Sequence, residues 1–71
     1  MKALRIVQCS DGLMWYNQHV GAIVPFLRQD TEYFWSREPA GYSNIVLLAD
    51  AEVIEIASET EIKYNDRKKA S

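Results

Sequence analysis

The chain has a single cysteine, Cys9, among its 71 residues, so no intramolecular disulfide can form. The bridges that small secreted scaffolds rely on are therefore excluded, and a reducing, cytoplasmic setting is the expectation. No second Cys or His stands at zinc-ligand spacing, so neither a metal nor any other cofactor is called for. Two prolines and three glycines are too few for a fibrous or low-complexity chain. Long apolar runs are also missing, the best being residues 45–49. That is far below the ~20 residues a membrane helix needs, and no charged-then-apolar leader opens the chain, so no membrane association is expected. Positive charge is scarce where nucleic-acid binding would need it. Residues 1–56 hold four cations against seven carboxylates, a net −3, and residues 57–71 hold four against three, a net +1. A mildly acidic body lacks the basic footprint that phosphate neutralisation requires. The basic cluster Arg67, Lys68 and Lys69 fits a solvated terminal tail.

What is present points to β structure. A chain this short buries only about 60% of its unfolded surface, which leaves little apolar area for a deep active-site cleft. Residues 2–9 read as a first strand, with β-branched Ile6 and Val7 and a stop at Ser10, Asp11 and Gly12. An irregular connection over residues 13–20 carries the aromatic pair Trp15 and Tyr16, of which Trp15 is the expected core plug. Residues 21–28 read as a second strand in which Pro25, lacking an N–H, marks an edge or a bulge. A polar turn at residues 29–32 leads into a strand at residues 33–37, with Tyr33, Trp35 and Arg37 on one face and Phe34 and Ser36 on the other. The break at Pro39 to Gly41 precedes a fourth strand at residues 42–48, whose apolar run Ile45, Val46, Leu47 and Leu48 is expected to be the most buried. A short helical turn near residues 49–51 and a closing strand at residues 52–56 follow. A helix capped by Asp50 and running toward Tyr64 is the alternative, weakened by β-branched Val53, Ile54 and Ile56. The outcome is an all-β fold: a small antiparallel barrel of about five strands over residues 1–58, then a polar, partly disordered tail over residues 59–71, mobile beyond about residue 65.

Trp15 and Tyr16, the Val20-Gly21 step, the apolar residues up to Leu27, the 33–37 strand, the 45–48 run and the segment Asp50-Ala51-Glu52-Val53-Ile54-Glu55 together resemble the small SH3-like β-barrel proteins of phages and bacteria. The likeness covers residues 2–56 and rests on packing and turn residues. It implies an SH3-like barrel and a phage setting, with host modulation in the bacterial cytoplasm, and it implies little chemistry. The glycine-rich turn of ribosome- and polymerase-binding relatives is missing. So is the acidic run before a Trp-Trp pair that accompanies proline-peptide binding in eukaryotic modules.

Catalysis has little to stand on. Cys9 and His19 belong to no nucleophile-base motif, and Glu32, Glu38, Asp50 and Glu52 lie scattered through turns rather than paired, so the chain reads as a non-enzyme. The aromatics carry more. Trp15, Tyr16, Tyr33, Trp35 and Tyr42 exceed what so small a barrel can hide; either Trp15 and Trp35 fill the core with tyrosines on the rim, or an exposed subset recognises a partner. The candidate binding residues are Tyr33, Trp35, Arg37, Tyr42 and Tyr16. The expected function is protein-protein interaction. A nucleic-acid-associated module that stacks bases on Tyr33, Trp35, Arg37 and Tyr42 while the basic tail meets phosphates is one alternative, and a homodimer or particle component built through strand edges is another.

Overall fold

The structure, a computed structural model, describes residues 1–64. Six strands form two three-stranded antiparallel sheets, and among the described residues there is no α-helix. The first sheet has the order β2 (Ile23–Pro25), β1 (Lys2–Ile6), β6 (Ala51–Glu55); the second has the order β3 (Arg28–Gln29), β4 (Tyr33–Arg37), β5 (Ser43–Leu47). The two ladders do not join into a closed barrel. No helix among the described residues is long and apolar enough to cross a membrane.

β1 is the central strand of its sheet, and its composition suits that place. Leu4 faces Val24 on one side and Val53 on the other, while Ala3 faces Pro25 and Ile54. Ala3, Leu4 and Ile6 are all fully buried, so β1, and not the 45–48 run, is the most buried strand. In β5 only Val46 is buried, and Leu48 is exposed. The reason is alternation: a strand at a sheet edge hides one face, and a continuous apolar sequence cannot put every residue on it.

The predicted second strand is two strands. Pro25 ends β2, where it supplies no ladder donor, and the chain bends through Phe26 and Leu27 into β3. Leu27 N donates to the Trp35 carbonyl at 2.9 Å, one residue out of step with the Arg28–Trp35 pairing. Two residues thus oppose one, which is a bulge, and the sharp local twist it brings carries the chain from one sheet to the other. The first strand stops at Ile6, short of Cys9, because Val7 and Gln8 turn their amides to the Asp50 carbonyl. The short helical turn expected around Asp50 is a 3-10 turn at Leu48–Asp50, and the closing strand follows as β6. At the β4–β5 hairpin Gly41 adopts φ +104° and its N–H donates to the Glu38 carbonyl at 2.8 Å, a conformation that side chains resist.

Two further expectations need correction. Tyr16, expected as a contact residue, is fully buried, whereas Trp15, expected as the plug, is only half-buried at the margin of the core. In residues 59–64, the first part of the expected polar tail, a 3-10 turn at Glu59–Glu61 returns the chain so that Ile23 and Lys63 exchange both backbone hydrogen bonds, covering the outer edge of β2. The mobility expected beyond about residue 65 lies outside the described residues.

Candidate functional site: the outer face of β4 and β5

The alternation of β4 puts Phe34 and Ser36 inside and turns Tyr33, Trp35 and Arg37 outward. Antiparallel register then sets Leu47 beside Tyr33, Ile45 beside Trp35 and Ser43 beside Arg37, with Arg28 on the other flank of Trp35. Directly opposed side chains share a face, so one surface collects two aromatic and two aliphatic residues, all half-buried, next to two guanidinium groups.

The Trp35 ring is held in place. Its indole Nε1 donates to Asp30 Oδ2 at 2.9 Å, and the Arg28 guanidinium carbon stands 4.7 Å from the ring centroid, within cation-π range. Asp30 anchors this arrangement from the β3–β4 turn. Its Oδ1 accepts the backbone N–H of Glu32 at 2.9 Å and of Tyr33 at 2.8 Å, an Asx-type turn, and Arg28 Nη1 lies 3.6 Å from Oδ2. The Trp35 indole donor, with the two backbone donors, holds the Asp30 carboxyl at about 2, well below the usual carboxylate range. A ring fixed before a partner arrives loses less freedom on binding than a mobile one.

The sequence-predicted contact residues are only partly brought together. Tyr33, Trp35 and Arg37 share the outer face, as the alternation requires. Tyr42 is 71% exposed but does not join them. Glu38 N donates to the Tyr42 carbonyl at 2.7 Å, which extends the ladder by one pair and puts Tyr42 in phase with Glu38 and Asn44, the opposite side of the hairpin. Arg37 is fixed differently, donating Nη1 to the Gly41 carbonyl at 3.0 Å, while its own carbonyl accepts the Tyr64 hydroxyl at 2.6 Å. Burial pushes the Tyr64 phenol up, against the opposing effect of the nearby Arg37 charge. Arg28, Asp30, Ile45 and Leu47 were not picked out by sequence reasoning; the polar turn and the hairpin pairing were the signals that could have found them.

No family model, no curated protein and no solved structure matches the chain.

Tyr16 and Trp15 serve the β5 edge instead of a partner. The carbonyls of Tyr33 and Trp35 face β3, so the even positions of β4 bond to β5, and the backbone groups of Ile45 and Leu47 turn to the open side. There the Trp15 indole donates to the Ile45 carbonyl at 2.9 Å and Leu47 N donates to the Tyr16 hydroxyl at 3.2 Å. An edge that would invite another strand is thereby occupied by the chain's own loop. Tyr16 also donates to Asp50 Oδ2 at 2.5 Å, and Ser10 reaches the same carboxylate with its backbone N–H at 3.1 Å and with its hydroxyl. Asp50 is fully buried. Desolvation pushes its carboxyl up, yet the Ser10 and Tyr16 hydrogen bonds outweigh that and hold it below the usual range. For Tyr16, burial and then the bond to Asp50 raise the phenol well above its ordinary value.

The remaining chemistry-bearing residues are dispersed. The Cys9 thiol donates to the Asp11 carbonyl at 3.1 Å, and the His19 ring packs 6.3 Å from Trp15 and 6.1 Å from Tyr64, centroid to centroid. Among the described residues no three His, Cys, Asp or Glu side chains gather in a way that could hold a metal ion.

Proposed function

We propose that this protein is a non-enzymatic binding module that recognises another protein through the outer face of β4 and β5. The observation that carries the reading is the fixed Trp35 ring, clamped between Asp30 and Arg28 and bordered by Tyr33, Ile45 and Leu47. Aromatic anchors beside an arginine, set on rigid strands, are the composition of interface hot spots. The scaffold reads as SH3-like: a long loop after β1, a strand bent between two sheets, a hairpin, and a 3-10 turn before the last strand support that assignment. A phage origin, a bacterial host factor as partner and a cytoplasmic location rest on the resemblance and the lone cysteine.

Nucleic acid is the weaker reading, because residues 1–64 carry five cations against nine carboxylates and Arg28 is already engaged by Asp30. The test is photo-crosslinking from a benzophenone side chain placed at position 33 or at position 52, the latter on β6 of the other sheet. In bacterial lysate, position 33 is expected to cross-link one protein reproducibly and position 52 not to do so. Equal labelling from both positions, or none from position 33, would refute the assignment.

A further inference from the structure

A second surface lies at the bend between the sheets and meets the β4 face at Arg37. It is a groove of about 430 Å³ whose apolar lining includes Pro25, Phe26, Leu27 and Ile62. Phe26 packs edge-to-face against the core ring Phe34, 6.3 Å between centroids. Lys2, Arg37 and Glu59 line it as well. Three other cations are paired, Arg5 with Glu52, Arg28 with Asp30, and the amino group of Met1 with Glu55. Among the described residues neither Lys2 nor Arg37 has a carboxylate partner. Lys2 Nζ lies 5.9 Å from the Phe26 ring centroid, and Arg37 is braced by a single bond to the Gly41 carbonyl, which leaves its other donors available.

In a body with net charge −4 over residues 1–64, two cations without a carboxylate partner in the lining of one largely apolar groove are a specific placement. We propose that this groove binds an extended acidic segment of a partner protein, seating an apolar side chain on Phe26 and Ile62 and flanking carboxylates on Lys2 and Arg37. The volume falls in the range of ligand sites and suits a short stretch of extended chain. The Glu59 carboxylate in the lining opposes a polyphosphate backbone, which carries no donors, whereas a peptide offers N–H groups that a carboxylate accepts. Only Arg37 is common to this groove and the β4 face, so the two readings can fail separately.

The test uses the full 71-residue chain and two fluorescein-labelled dodecapeptides, one alternating Asp or Glu with Leu and Phe, the other its Asn and Gln counterpart, with binding read by fluorescence anisotropy. The acidic peptide is expected to bind at least about five-fold more tightly than its neutral counterpart, as two exposed ion pairs allow. The double variant Lys2→Gln, Arg37→Gln is expected to lose about five-fold or more, and Lys2→Gln alone a measurable part of it, with Trp35→Ala unchanged. Both cations are exposed, and an unaltered thermal transition certifies that the variants fold. No binding of the acidic peptide up to about 1 mM, or a smaller loss in either comparison, overturns the proposal. Weakening by Trp35→Ala without weakening by Lys2→Gln assigns the peptide to the β4 face and likewise overturns it.

Discussion

Tyr16→Phe removes one oxygen atom and is expected to destabilise the protein more than any surface truncation. The hydroxyl makes two bonds that nothing else can make: it donates to the buried Asp50 carboxylate at 2.5 Å and accepts Leu47 N at 3.2 Å. A hydrogen bond to a charged group contributes about 1.5 to 3 kcal/mol, and an amide left without a partner adds to the loss. Ser10 keeps its two bonds to Asp50, which limits the damage, so the expected cost is about 2 to 3 kcal/mol. A 71-residue domain has a total stability of about 4 to 10 kcal/mol, so this is a large share. The assay is urea unfolding followed by tryptophan fluorescence. With a slope near 1 kcal/mol per molar, the midpoint should fall by about 2 to 3 M at unchanged slope. A loss below about 0.5 M would refute the view that this hydroxyl ties the loop to β5 and Asp50.

The same network fixes the pH dependence at both ends. Because the Asp50 carboxyl is held below its unfolded value, its contribution is full above about pH 4 and is lost as pH falls through the folded value; urea midpoints taken from pH 6 down to 2 should decline, and less steeply in Tyr16→Phe, where the folded carboxyl lies nearer its unfolded value. The Tyr16 phenol is raised above its ordinary 10.0, so its contribution is full below pH 10 and is lost as pH rises through the folded value, a limb that should be shallower in Tyr16→Phe. Trp15→Ala should cost about 1.5 to 3 kcal/mol in the same assay, short of the 3 to 5 typical of a core aromatic, since the ring is half-buried. Gly41→Ala should cost about 1 to 2 kcal/mol, because φ +104° strains any side chain, and an unchanged melting temperature would contradict that turn geometry.

Much of the strand layout was legible because short strands announce themselves by β-branched residues between turn residues. β4 is the clearest case: the alternation Tyr33, Phe34, Trp35, Ser36, Arg37 fixes which side chains face out without any knowledge of the partner strands. Trp15 and Tyr16 show what was not legible. They are neighbours on an irregular loop, with rings 5.5 Å apart at 85°, and no periodicity says which of two adjacent rings turns inward. The choice falls to Tyr16 because its hydroxyl has a buried acceptor in Asp50, thirty-four residues away. The 45–48 run misled for a related reason: apolar content does not reveal that β5 is an edge strand closed by side chains. Residues 59–64 read as polar, and polarity hid the pairing of Lys63 with Ile23, which uses the backbone alone. For the site, alternation supplied three residues, but Tyr42 is set by the hairpin register, and Arg28 and Asp30 by the bulge and the Asx turn.

If the face around Trp35 is a recognition surface rather than packing, truncating the ring weakens binding and leaves the domain folded. The direct measurement is the affinity of the Trp35→Ala variant for the cross-linked partner, by calorimetric titration, beside its thermal transition. An affinity loss of about 2 kcal/mol or more, some thirty-fold, is expected in a variant that still unfolds cooperatively. Undiminished binding by the folded variant would contradict it.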